Sequence, residues 1–169
     1  MSDQCDIRMA RCNVPDKALF LDALRETAVK FEVHIICFNA DMVAGERHIR
    51  SAVFNAMRSF CEGQPIANTL EMEALLFAAG SRQCSIASSF GIHEGENCLY
   101  ICCIPPCDDV WEALTRSLEL NEEDPVMNAQ KKARLMTLFE ITDQELDAAG
   151  SDRLTDLVLE RVALLNATR

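Results

Sequence analysis

Residues 46–61, ERHIRSAVFNAMRSFC, carry the strongest periodicity in the chain. Ile49, Ala52, Val53, Ala56, Met57 and Phe60 recur at i, i+3, i+4, i+7, i+8 and i+11, the repeat of one face of an α-helix. A stripe of that kind has to be covered, so the chain must fold by packing other elements against this helix. Arg47, Arg50 and Arg58 lie off the stripe, and Arg47 and Arg58 are eleven residues apart, so they share a face.

The stretch that follows, Ile66–Gly91, predicts two short buried helices with a polar elbow between them. Asn68 or Thr69 serves as N-cap, with Glu71 placed as a capping-box acid. The first helix runs apolar through Leu75, Leu76, Phe77, Ala78 and Ala79 and breaks at Gly80. Arg82 and Gln83 form the elbow, and the second helix, 82–90, packs through Ile86, Ala87 and Phe90.

Around this pair the chain supplies strands and further helices. Cys5–Val14 is a weakly alternating strand, Lys17–Lys30 a helix with Phe20, Leu24 and Ala28 on one face, and Glu32–Asn39 a strand buried on both faces. Cys98–Ile104 is a third strand, stopped by Pro105-Pro106. A helix from Asp108, an acidic loop at Asn121–Asp124, a helix from Pro125 to Phe139 and a capping box at Thr142–Glu145 come next. The last helix, to about Asn166, has a main stripe of Leu154, Leu157, Val158, Val162 and Leu165; Leu159 and Leu164 widen its apolar surface beyond one packing face. Together these give one domain over residues 1–169 of α+β (or α/β) class. Its small three-stranded sheet, largely antiparallel or mixed, packs with seven or eight helices. The strand–helix–strand start suggests a parallel pair by default, and the direction of the third strand is open.

Charge narrows the partners. The formal net charge is −11. Residues 46–93 are nevertheless neutral, with Arg47, Arg50, Arg58 and Arg82 against Glu46, Glu62, Glu71 and Glu73, whereas residues 108–169 carry a net −7. The middle block is the one that tolerates a phosphate backbone; the acidic C-terminal third favours a basic protein partner. There is no apolar run long enough for a membrane span, and the N-terminal residues lack a signal peptide's apolar core, so a cytoplasmic protein is expected.

Nine cysteines, an odd number, lie mostly inside apolar runs and fit reduced core thiols. Cys98, Cys102, Cys103 and Cys107 are the candidate metal ligands, but Cys102 and Cys103 are adjacent on a strand and point to opposite faces. A catalytic Cys–His pair would need His34, His48 or His93; His34 falls in a buried strand, while His48 and His93 are expected at the surface. Glu71 and Glu73 sit on different sides of a helix and favour its dipole. The six glycines are isolated at element ends and form no phosphate loop. A thiol- or metal-dependent enzyme using the cysteine-rich strand is therefore the alternative to a non-enzymatic binding subunit that needs no cofactor.

Three segments in order resemble one family: Asn39–Gly45 with ERHIRSAVFNAMRSF, then IANTLEMEALLFAAGSRQ, then Ser85–Gly91 ending SSFGI. They are similar to the kinase-associated subunit of the KEOPS (EKC) complex, the PRPK-binding protein family, with departures at Ser81, where an acid is common, and Cys84, usually isoleucine. The resemblance implies a non-catalytic subunit of a complex that makes threonylcarbamoyladenosine in tRNA. Such a subunit docks on a small atypical kinase/ATPase through its C-terminal helix and recruits tRNA by the single-stranded 3′ CCA end. Carried onto this chain, the kinase face is Leu157, Leu159, Val162 and Leu165. Position and charge nominate Arg47, Arg50, Asn68, Thr69, Arg82 and Gln83 for tRNA.

Overall fold

The computed structural model describes residues 4–121 and 127–167. Its elements in chain order are β1 (Asp6–Val14), α1 (Lys17–Phe31), β2 (His34–Asn39), α2 (Glu46–Cys61), α3 (Leu70–Ala79), α4 (Cys84–Ser88), β3 (Gly95–Ile104), α5 (Asp108–Leu114), β4 (Glu119–Asn121), α6 (Ala129–Leu138), α7 (Asp143–Ala149) and α8 (Leu154–Ala167). The class is α+β, the first of the two that the sequence allows, and the antiparallel pairing of the strands decides it. The sheet, however, has four strands in the order β2-β3-β1-β4, antiparallel throughout. The additional strand, β4, is three residues long and exists because β1 offers it an edge, pairing Met9 with Asn121 and Arg11 with Glu119. Three residues are too few to leave an alternation in the sequence. No described helix is long and apolar enough to cross a membrane.

The chain divides into two compact units, Met1–Asn39 with Gly91–Asp124, and Ala40–Phe90 with Pro125–Arg169. In the first, β3 lies between β1 and β2, so the parallel neighbours expected of a strand–helix–strand start are separated by an antiparallel strand. Its all-apolar segment from Leu99 to Ile104 suits that place. Leu99, Ile101 and Cys103 join Val110, Trp111 and Leu114 of α5 and Leu24 of α1 in one core, while Tyr100 and Cys102, on the other face, are buried as well. Asp16 caps α1 by accepting from the amide of Leu19 at 3.2 Å, and Glu32 ends it in the left-handed conformation at φ 54°. Trp111 Nε1 donates to Asp6 Oδ2 at 2.8 Å, fixing α5 to β1.

In the second unit α2 and α3 form an antiparallel hairpin, α3 being apolar on all sides and buried from Ala74 to Ala79 save for Leu75. Thr69 is the N-cap of α3, accepting from Met72 at 3.2 Å. That register makes Met72 the third helical residue, so Glu71 does not occupy the capping-box position. Gly80 ends α3 at φ 60°, and Ser81 returns its amide to Leu76 O at 3.1 Å. The second predicted helix, 82–90, contracts to the single turn α4: Ala87 and Phe90 are buried as expected, but Ile86 and Cys84 are exposed. Phe60, expected in the packing stripe of α2, is exposed near its C-terminus. α6 begins at Ala129 with Asn128 as its cap, rather than at Pro125; Pro125 and residues 122–124 of the expected acidic loop lie outside the described residues. Thr142 caps α7 as expected, accepting from Glu145 at 3.1 Å.

Candidate functional site

The candidate surfaces all sit on the helical unit. Two buried polar side chains hold its hairpin. His48, in the first turn of α2, has no solvent exposure: its Nδ1 accepts from the amide of Ala44 at 3.0 Å, and its Nε2 lies 2.8 Å from Ala78 O at the end of α3. A backbone N–H can only donate and a carbonyl can only accept, so the ring is the neutral Nε2–H tautomer. Burial holds its pKa down at about 4, with Lys131 adding to the shift. At the other end of the hairpin, fully buried Glu73 accepts from Ser59 Oγ at 2.7 Å and from the amides of Ile66 and Ala67 at 2.9 Å and 2.7 Å. It organises the loop from Gln64 to Thr69 that joins the helices.

The six residues nominated for nucleic acid are all at the surface but do not form one cluster. Arg47 and Arg50 lie in the first turns of α2, at the end where His48 meets Ala78. Arg82 and Gln83 follow the C-terminus of α3 and belong to that same end; both are exposed, and Arg82 makes no ion pair among the described residues. Asn68 and Thr69 precede α3, whose ten residues put them about 15 Å away along its axis. Arg58 is the arginine at their end. Arg50 pairs with Glu46 at 2.6 Å and Arg58 with Glu62 at 3.5 Å. Arg47 reaches Asp156 of α8 at 3.0 Å. Asp156 also accepts from Arg153, and these two arginines, Arg153 first, hold its carboxyl below the ordinary carboxylate range.

α8 lies parallel to α2, tied by Arg47–Asp156 at one end and by Asn166 Nδ2 donating to Asn55 Oδ1 at 2.6 Å at the other. Of the four residues nominated for the kinase, Leu157, Val162 and Leu165 are buried within the chain itself and Leu159 is half-buried. The leucine that α8 presents to solvent is Leu164, 48% exposed. Beside it lies a surface cavity of about 220 Å³, lined by Ala79, Gly80, Leu138, Phe139, Arg161 and Leu164 among others. Arg161 shapes its rim by donating to Phe139 O at 3.2 Å and to Glu145 Oε2 at 2.8 Å.

The cysteine-rich strand assembles no comparable site. Cys103 faces the α1–α5 core and its adjacent Cys102 the opposite face. Burial pushes the Cys103 thiol up to about 11 and the Cys37 thiol to about 12, so neither supplies thiolate near neutral pH. Among the described residues, no three His, Cys, Asp or Glu side chains come together in an arrangement that could hold a metal ion. The expected places of two histidines are reversed: His34, at the start of β2, is exposed, and His48 is the buried one.

Residues 12–166 match the family described as "Kinase binding protein CGI-121". The chain belongs to the CGI-121 family. A relative from Methanocaldococcus jannaschii, named "Regulatory protein Cgi121", is 29% identical over 143 residues, covering 81% of this chain and 83% of its own. The CGI-121 match takes in α2, α3, α4 and α8 to Asn166, so the surfaces just described fall inside it.

His48 and Glu73, the buried polar residues that tie the two ends of this CGI-121 hairpin, had a signal in the sequence. His48, Ala52, Asn55 and Ser59 recur at helical spacing and form a second buried stripe on α2, and all four are buried. Glu73 falls three residues after Leu70 and four before Phe77, on the buried face of α3. An acid at such a position needs donors, and the loop before α3 provides them. Dipole placement alone does not distinguish it from Glu71.

Proposed function

We propose that this protein is a non-catalytic, regulatory kinase-binding subunit of a KEOPS-type complex in the cytoplasm. In this reading it docks on the complex's small atypical kinase/ATPase and helps recruit tRNA by its single-stranded 3′ CCA end. The observation that carries the kinase part is membership of a family described as kinase-binding, combined with the form of α8. That helix buries Leu157, Val162 and Leu165 in its own chain and still presents Leu164 and part of Leu159. We assign contact with the kinase to these outward leucines and to Leu138 beside the cavity, with the buried three setting the helix's position. The tRNA part is supported by the charge-neutral block 46–93 and by exposed Arg47 and Arg82 and half-buried Arg50 near one end of the α2–α3 hairpin, with Gln83 beside them. A single-stranded end needs few phosphate contacts, so an acidic chain can hold it.

Two measurements test this reading. Purified protein is titrated with tRNA carrying or lacking the terminal CCA, with Arg82→Ala alongside. Loss of affinity on removing CCA, and a shallower salt dependence in the variant, are expected; equal binding of both tRNAs refutes the tRNA part. For the kinase part, Leu164→Glu is co-expressed with the kinase. Retention of full co-purification by that folded variant refutes the α8 surface.

A further inference from the structure

We infer that Phe54, flanked by Arg50 and Arg58, is a base-stacking step for single-stranded RNA on the outer face of α2. The inference rests on the RNA reading above and names the residue that would hold a base there. Phe54 lies near the middle of a 16-residue helix whose neighbours Val53 and Asn55 are buried, yet its own ring is 41% exposed. It stands off the buried stripe of α2, and its partial burial leaves part of the residue open to solvent. Arg50 is four residues before it and Arg58 four after, so all three share one face. Eight residues of helix separate the two arginines by about 12 Å, with the ring between them.

That sequence of cation, aromatic ring, cation suits an extended strand, in which a base stacks on the ring while backbone phosphates on either side meet guanidinium groups. The acids that pair with these arginines are Glu46, in the first turn of α2, and Glu62, its C-cap, which meet Arg50 and Arg58 at the surface. Exposed pairs of this kind are weak and exchangeable, so a phosphate can take the carboxylate's place. An acidic peptide could meet the arginines, but it would leave the ring unused. Stacking on an aromatic is largely indifferent to base identity, so the step supplies affinity rather than sequence choice.

The test uses the full chain and a fluorescein-labelled single-stranded RNA ending in CCA, with 2-aminopurine in place of the terminal adenine in a second RNA. Wild type, Phe54→Leu, Phe54→Trp, Arg50→Gln and Arg58→Gln are compared after circular dichroism shows that each is folded. Phe54→Leu is expected to weaken binding roughly tenfold, to leave the slope of log K against log salt unchanged, and to lessen the quenching of 2-aminopurine. Phe54→Trp keeps the affinity. Each arginine variant reduces the salt slope by about 0.7. Wild-type affinity in Phe54→Leu overturns the inference and leaves the RNA reading standing. So does a Phe54→Leu protein that binds RNA normally but no longer co-purifies with the kinase, because the ring then serves a protein contact. Absence of RNA binding by the wild type overturns both.

Discussion

His48 makes stability depend on pH in a direction and amount that follow from its surroundings. Its pKa is held at about 4 in the folded protein, against the ordinary 6.5 it regains on unfolding. The unfolded chain therefore takes up the proton first. The stability His48 contributes is fully present above pH 6.5, falls as pH drops through that value, and is exhausted near pH 4. A gap of that size corresponds to about 3 kcal/mol in full, and to about 2 kcal/mol between pH 7.5 and pH 5. The structural cause is specific. A protonated Nδ1 would face the amide of Ala44, donor against donor, and a charge would be buried beside Phe139 and near Lys131. The assay is urea unfolding at pH 7.5 and pH 5 for wild type and His48→Gln. The exposed histidines His34 and His93 are common to both proteins and cancel. The glutamine variant is less stable at both pH values, but its loss on acidification is smaller than that of wild type by about 2 kcal/mol. Parallel losses in the two proteins would refute the reasoning, whatever the absolute cost of the substitution.

Three more outcomes are expected. Glu73→Ala leaves the amides of Ile66 and Ala67 without their buried acceptor and leaves Ser59 Oγ to Gln64 O, so it should destabilise the protein by about 3 kcal/mol or more, read from urea midpoints; a change under about 1 kcal/mol contradicts the buried-anchor role. With a thiol reagent at neutral pH, Cys61 and Cys84, both exposed, react first, and Cys37, Cys102 and Cys103 only in denaturant; rapid labelling of Cys103 in the native protein speaks against its burial. On α8, Leu164→Glu should fold with near-normal stability and lose the kinase, whereas Val162→Glu should fail to fold, because Val162 is wholly buried and Leu164 is not; unfolding of both variants would place Leu164 in the core.

Much of the fold was legible because it is local. The bounds of α2, the caps at Thr69 and Thr142, and the end of α3 at Gly80 depend on residues within a turn or two of one another. The candidate site was legible in kind but not in arrangement. Arg47, Arg50, Arg82 and Gln83 gather near one end of the hairpin because α3 folds back antiparallel, and the same reversal carries Asn68 and Thr69 to the other. Phe54 went unremarked in the sequence because a helical stripe marks what is buried, and this ring becomes conspicuous only once its exposure is seen.

By itself, then, the sequence determined where most helices and strands run, that the chain mixes helices with a small sheet, and which block of an acidic chain is charge-neutral. Short-range periodicity, capping chemistry and charge suffice for those. The tertiary structure decided which polar residues are inside. His48 rather than His34 is buried, because α3 lays Ala78 O over the first turn of α2, whereas His34 begins a strand at the sheet edge. It also decided that β4 is a strand and that Leu164, not Leu157, Val162 or Leu165, is the leucine α8 offers outward. In each case the deciding contact joins residues far apart in sequence, and no local pattern records which partner arrives.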